Sequence, residues 1–302
     1  MDDAELSAKA RKLATVIEPF AAQVYFSPEC HAGYADLGFG PSPGDRNGVA
    51  QPDGPAYFCS RGSLLGQAPG ELVASAFAVF NPSVVAPAVT LGWSITDAKT
   101  IEQARTDGAI AQLIRILGPA PEGIERLLDL LGQASASLPV AGKPLYAGVL
   151  AQEVPSSPIG AAWRFADRLR EFRGDAHTAS WTSAGFDAIE IGLLTELYWS
   201  MPLKTYVRSR AWSHAELDDG IRRLEERGLV RDGSFTERGK EEREAVERST
   251  DRHCRPVIES LGEEFDSVIE LLAPMGRQIR AQHGYPAAGP RDLAARQSAE
   301  AV

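Results

Sequence analysis

The residues best suited to chemistry are gathered between Ala161 and Trp181, a stretch dense in Trp, Phe and charge. His177 can titrate near neutral pH, and Asp175, two residues away, can orient it for acid–base work. Arg170 can hold a carboxylate or phosphate in a two-pronged grip. If the stretch is helical, successive residues turn by about 100°. Phe165, Leu169, Phe172, Ala176 and Ala179 then share one side, as a core face should. Trp163, Asp167, Arg170, Gly174, His177 and Trp181 share the opposite stripe, with Arg164, Arg168, Glu171 and Asp175 between. An amphipathic helix does not ordinarily set two tryptophans away from its core, so both faces are expected to meet something. The functional reading is a ligand cavity walled by Trp163 and Trp181 and made selective by Arg170 and His177. The plainer reading pairs Arg170 with Asp167 or Asp175, uses His177 to cap a backbone group, and packs the tryptophans between domains. Gly174 can also end the helix and spoil the stripe.

Arg61 is a second ligand-binding candidate. It follows Tyr57-Phe58 and precedes Gly62, and it either anchors an anion or pairs with Glu18 or Asp36. Tyr25 and Tyr198 can turn their hydroxyls to a shared cleft, or sit in the core with one hydrogen bond each. Cys30-His31 and His253-Cys254 lack zinc-like spacing, so no metal site is expected. No nucleophile elbow, phosphate-binding glycine loop or dinucleotide fingerprint is present, so no cofactor is expected.

The elements that must position these residues come in a pattern that recurs. Thr106-Asp107 and Leu117-Gly118 return as Thr250-Asp251 and Leu261-Gly262. Glu71-Leu72 answers Glu216-Leu217, Tyr57-x-x-Ser60-Arg61 answers Tyr206-x-x-Ser209-Arg210, and Tyr25-x-Ser27 answers Tyr198-x-Ser200, all in the same order. Collinear echoes point to an internal duplication. In the second copy, Asp187 to Ser200 has a helical apolar stripe, and Leu203 to Arg210 can form a short helix. Ser213 with Glu216 makes a capping box for a helix that Gly228 ends. Asp232-Gly233 turns a two-stranded wing, and a long helix follows from about Glu237 towards Leu272. In the first copy Leu13 to Phe26 is the first helix, residues 38–55 are a loop, and 98–117 are the long helix. The counterpart of the capped helix, Glu71 to Phe80, is nearly all apolar and is expected to be buried.

Leu224-Glu225-Glu226-Arg227-Gly228-Leu229-Val230, a wing, and then Thr236-x-x-Gly239 resemble the MarR-type winged helix over about 80 residues. More broadly the chain resembles a family of actinobacterial helix-turn-helix proteins. That likeness is carried by Tyr57-Phe58-x-x-Arg61, Phe77 with Asn81-Pro82, Arg170-Glu171-x-Arg173-Gly174-Asp175-x-His177, Arg227-Gly228-Leu229 and Thr250-Asp251. The family pattern has His where this chain has Phe172, and Gly where it has Ala176, so no role resting on that His carries over. The MarR resemblance implies a cleft for small aromatic or phenolic ligands, here formed within one polypeptide.

The expected fold is mainly α, with two tandem winged-helix-like halves forming a pseudo-dimer with short β-wings. Residues 1–131 are a first, degenerate half, 132–160 a linker, 161–285 the connector helix and second half, and 286–302 a disordered tail. A net charge of -10 and a pI of about 5.1 repel phosphate backbones on average. The DNA-reading helix would open with Glu216, Asp218 and Asp219, which argues against DNA as a partner. Arg208, Arg210, Arg222, Arg223 and Arg231 are the residues available to offset them. No membrane-spanning run and no basic, apolar leader is visible, and three scattered cysteines suit a cytoplasmic monomer or homodimer. Three functions follow. The first is binding of a small aromatic or anionic organic ligand in the cleft, in specialised metabolism or resistance. The second is a ligand-responsive transcription regulator. The third is an enzyme of specialised metabolism that uses His177 and Asp175, with Arg170 or Arg61, for proton transfer.

Overall fold

Ser157 accepts a hydrogen bond from the Gly160 N–H and Pro158 pre-sets the first turn, so a helix starts cleanly at Pro158. This helix, α9 (Pro158–Ser183), runs unbroken through Gly174 and is the axis of the molecule. The computed structural model describes residues 1–287; of the tail expected over 286–302, everything from 288 lies outside the described residues.

Eight α-helices precede α9: α1 (Asp3–Ala22), α2 (Pro28–Asp36), α3 (Gly54–Gly62), α4 (Gly70–Phe77), α5 (Pro82–Ile95), α6 (Ala98–Leu117), α7 (Ile124–Ser135) and α8 (Pro144–Leu150). After α9 come α10 (Ala188–Tyr198), α11 (His214–Glu226), α12 (Glu237–His253), α13 (Arg255–Leu261) and α14 (Phe265–Ala281). Two antiparallel strand pairs complete the fold, β1 (Asp45–Arg46) with β2 (Val49–Ala50), and β3 (Val230–Arg231) with β4 (Ser234–Phe235). Over the described residues the protein is therefore mainly helical with two short hairpins. The predicted wing is β3–β4, and its turn places Asp232 and Gly233 both at positive φ.

Several elements differ from expectation. The first helix starts at Asp3, because Asp2 accepts from the Glu5 N–H and caps it there. Residues 38–55 contain the hairpin β1–β2, which precedes α3; α4 leads directly into α5, where the wing of the second half would have its counterpart. The long C-terminal helix is three pieces, α12, α13 and α14. Pro256 lacks an N–H and crowds the preceding turn, so α12 stops at His253. The short helix over 203–210 is only a 3₁₀ turn, Val207–Arg210. Residues 132–160, expected as a linker, hold the end of α7, the start of α9 and between them α8, whose Leu145, Tyr146 and Val149 are buried.

Two hydrophobic cores organise the chain. The larger runs from Leu6 to Phe172 and takes in Val257 to Ile279, because α13 and α14 pack back on α1 and α7. The smaller contains Trp181, Phe186, Leu193, Leu194, Val207, Leu217, Leu224 and Val246. In it α10 and α11 approach closely: a Cβ at Gly220 would sit 2.4 Å from Ile189 Cγ2. Val79 packs against both cores.

Candidate functional site

Arg170, one of the polar residues singled out on α9, is drawn into ion pairs at the middle of the helix. Glu171 is fully buried and accepts from Arg61 Nη2 (2.7 Å), Arg61 Nε (3.2 Å), Arg170 Nη1 (2.8 Å) and Tyr25 OH (3.3 Å). Arg170 also grips Glu18 through Nε (3.0 Å) and Nη2 (3.3 Å). Burial alone would raise the Glu171 carboxyl, but Arg61 and Arg170 overcome it and hold it at about 2. Arg61, Arg170 and Tyr25 are thus brought together, around a carboxylate. The expected partners were different: Glu18 or Asp36 for Arg61, and Asp167 or Asp175 for Arg170. The crevice beside Arg170, between α1, α9 and α13, is about 20 Å³, room for about one water.

The other predicted residues are dispersed. Trp163 is fully buried and donates its indole N–H to the Ala21 carbonyl (3.0 Å). His177 Nδ1 lies 3.1 Å from the Thr250 hydroxyl on α12. That hydroxyl donates to the Val246 carbonyl (2.9 Å), which leaves Nδ1 as the donor. Asp175 faces α8 instead and accepts from the Tyr146 N–H (2.9 Å). It supplies the cap that Lys143, the N-cap residue, lacks. Burial pushes the Asp175 carboxyl up to about 7. Asp175 and His177 therefore serve different helices. Tyr198 OH donates to Glu244 (2.6 Å), in a second charged cluster where Arg11 meets Glu244 (2.7 Å) and Asp251 (2.8 Å).

Trp181 alone of the predicted residues reaches a sizeable hollow. This space, about 340 Å³, lies where the two cores meet. Trp181 and Trp212 form its aromatic walls, Ala78 and Ile189 add apolar surface, and Pro82 and Asp187 stand exposed at its rim. The Trp212 N–H is given to the Val79 carbonyl (3.0 Å). The Asn81 N–H and Nδ2 reach the carbonyls of Arg210 (2.9 Å) and Ala211 (3.2 Å), and Arg210 stacks on Phe80. Ala78 adopts φ 50°, ψ -60°, with the Val79 N–H returning to the Phe77 carbonyl at 2.6 Å. That is a γ-turn of the strained, positive-φ kind, rare outside glycine. Ala211, across the joint, is also left-handed (φ 65°).

The adjoining unit has its own scaffold. Glu196 is buried and gathers the N–H groups of Lys204 (2.7 Å), Thr205 (2.9 Å) and Val207 (2.8 Å), which fixes the turn between α10 and α11. The predicted capping box at Ser213 is formed in both directions. Helix, ordered turn, capped helix and hairpin thus follow in sequence. The profile of a helix-turn-helix family matches residues 10–286. The chain belongs to the helix-turn-helix family. No curated protein and no solved structure matches it.

In this helix-turn-helix protein the exposed face of α11 is acidic or self-neutralised. Asp218 bonds Lys204, and Arg222 spans Asp219 (3.0 Å) and Glu226 (3.1 Å). Arg223 pairs with Asp187 (2.7 Å), and Arg210 is turned to Tyr206 and Phe80. Arg208 and Arg231 are exposed and have no ion-pair partner among the described residues. The counterpart helix α4 is only half covered: Val73 and Phe77 are buried, but Leu72 is 56% exposed, where full burial was expected. Among the described residues no helix is long and apolar enough to cross a membrane.

Sequence reasoning missed Glu171, Trp212 and Ala78. Glu171 left a signal, as a carboxylate inside an arginine-rich helix. Trp212 left a weaker one, an aromatic placed directly before a capping box. Ala78 left none, since Phe77-Ala78-Val79-Phe80 reads as continuing helix.

Proposed function

We propose that the chain is a small-molecule-binding protein on a helix-turn-helix scaffold, its guest seated between the Ala78 turn and the α10–α11 unit. One observation carries this: a hollow of about 340 Å³ with two tryptophan walls lies at the joint of the two cores, near the lower bound of organic-ligand sites. The site is the seam expected between the halves, with Trp181 as its contribution from the stripe on α9. The proposal keeps two tandem winged-helix-like halves of MarR type in a cytoplasmic monomer or homodimer. Its support is that Ser60-Arg61, in the last turn of α3, and Ser209-Arg210, at the end of the 3₁₀ turn Val207–Arg210, each precede a helix, α4 or α11. Gly118 and Gly262, the paired glycines, both end helices at positive φ.

The test is intrinsic tryptophan fluorescence during titration with compounds that raise the melting temperature in a screen of small aromatics. The expected quench disappears in Trp212→Ala. A stabilising compound whose quench survives in both Trp212→Ala and Trp181→Ala places the guest elsewhere.

A second reading, a ligand-responsive DNA-binding regulator, is favoured by the family match and by Arg208 and Arg231. It expects salt-sensitive retardation of upstream DNA in a gel shift that is lost in the double variant Arg208→Glu, Arg231→Glu. Binding unchanged by both substitutions rules out that surface.

A further inference from the structure

We infer that the outer face of α5 is where two copies of this chain meet, their α5 helices antiparallel across a two-fold axis. The homodimer is thereby chosen from the two states left open above, and the choice does not depend on a guest in the hollow.

Helix α5 is apolar on two sides. Val85, Val89 and Gly92 are buried. At about 100° per residue, Val84, Pro87, Ala88 and Leu91 form a second stripe, spaced i, i+3, i+4, i+7. Val84 is 40% exposed, Leu91 54%, and Pro87 is exposed as well. A helix apolar all round is normally covered all round; among the described residues this stripe stays open. The hydroxyls beside it are already satisfied. Ser83 donates to Asn81 Oδ1 (2.7 Å), Thr90 to the Ala86 carbonyl (3.0 Å) and Ser94 to the Leu91 carbonyl (2.6 Å). Covering the face therefore strands none of these donors. The face is also firmly mounted: a Cβ at Gly70 on α4 would lie 2.3 Å from the Ala86 carbonyl, so the two helices are locked together.

Charge and symmetry select the occupant. From Gly62 to Thr96 the sequence holds a single charged side chain, Glu71, in a chain where 24% of residues are charged. Nucleic acid or a charged peptide finds nothing to pair with here. Two copies at net charge -10 repel each other on average, so a face that adds no like-charge contact is the one that lets them approach. The stripe also reads alike in both directions: Pro87-Ala88 at the centre, with a branched aliphatic three residues before and three after. That is the pattern of a two-fold, self-complementary contact. Val84 then meets the partner's Leu91, Pro87 meets the partner's Ala88, and the small centre admits close approach. Residues 288–302 fit the face worse, since Arg291, Asp292, Arg296 and Glu300 outnumber their two large aliphatics, Leu293 and Val302. One stripe of a 14-residue helix falls short of the ~1,200 Å² of a standard interface, so the dimer is expected to be weak and to form in the micromolar range or above.

Sedimentation equilibrium of the full chain, from about 1 μM to about 1 mM, provides the test. The mass is expected to rise with concentration from 32.5 kDa towards twice that value. Val84→Glu and Leu91→Lys should each weaken self-association at least ~10-fold, because each buries a charge without a partner. Mixing the two variants sets Glu against Lys at one end of the antiparallel pair and should recover association. A parallel pairing would not recover it, since it would set position 84 against 84. Should either variant fail to fold, Pro87→Cys decides. Cys30, Cys59 and Cys254 are buried, so mild oxidation should join two chains through position 87. Val140→Cys, at a position 50% exposed elsewhere, should stay single under the same conditions. A mass of one chain at every concentration overturns the inference and leaves the face to another protein or to residues 288–302. A dimer that both substitutions leave unchanged overturns it too, and places the contact on another surface.

Discussion

Near its middle, α9 sets Glu171 among Arg61, Arg170 and Tyr25; at its C-terminal end it sets Trp181 beside a hollow. Both regions use residue types that recognise small molecules. In the middle, α1, α6, α7, α8 and α12 surround the helix, so every charge there must find a partner inside the protein. At the end, the larger core has stopped; the smaller one is joined to it by α12, which packs on α9 and α1, and by the bonds of Val79 and Asn81 to residues 210–212. The tryptophan there is left with a donor unmatched and space at its side. An arginine or tyrosine on a helix marks a ligand only where the neighbouring helices do not already satisfy it. Substitutions at the two ends should therefore have opposite signatures, stability in the middle and guest binding at the end.

The largest effect belongs to Glu171. Replacing it with Gln leaves Arg61 without its carboxylate and Arg170 with Glu18 alone. Breaking a buried ion pair from one side costs about 3–5 kcal/mol. Urea unfolding of Glu171→Gln should move to a much lower midpoint, with the aromatic compound of the fluorescence titration still bound once the protein is folded. A shift below about 1 kcal/mol would mean that the ion pairs contribute little to stability, and a selective loss of that binding from a folded variant would mean that the middle of α9 is a ligand site after all.

Asp175 gives a smaller effect with a definite sign. Its carboxyl is raised by burial to about 7 in the folded protein, against about 4 in an unfolded chain. The folded state thus holds the proton more tightly, and this contribution to stability is complete below pH ~4 and lost as pH rises through about 7. His31 is lowered by burial and acts in the opposite sense below its ordinary range, so the informative quantity is the difference between Asp175→Asn and the parent protein. Between pH 5 and pH 8 the variant should gain on the parent by about 2 kcal/mol. Parallel pH–stability curves would show that Asp175 stays ionised against the α8 N-terminus throughout.

The parts of this molecule legible in its sequence are those governed by neighbours in the chain. Ser213 and Glu216 announced a capping box, and Asp232-Gly233 a hairpin, because three residues or fewer complete each motif. The helix expected over 98–117 forms as α6, whereas Ala161–Trp181, open in sequence to a break at Gly174, runs through it. The partners of the charged residues were not legible, since Arg61 and Glu171 are 110 positions apart and Glu18 and Arg170 are 152 apart. Asp175 capping α8 is the same kind of contact, made between helices. Trp163 and Trp181 share a stripe and a residue type. Only the packing of α1 over one and the end of the larger core near the other tells them apart.

The smallest effect tests the joint itself. Ala78 holds φ 50°, ψ -60° at the end of α4, a conformation that glycine adopts with far less strain than alanine. Ala78→Gly relieves that strain and also gives the unfolded chain more freedom, so a net gain of up to about 1 kcal/mol is expected. Ala76→Gly, two residues earlier inside the same helix, has no strain to relieve and should lose about 1 kcal/mol. Opposite signs for one substitution at sites two residues apart, read as melting temperatures, would identify stored strain beside the hollow. If the turn is held by its bonds to Arg210, Ala211 and Trp212 rather than by its own preference, then Ala78→Gly should also speed hydrogen exchange at Val79 and Asn81. Equal losses in the two variants would mean that Ala78 sits there without strain, and that the joint is no tighter than the helix it follows.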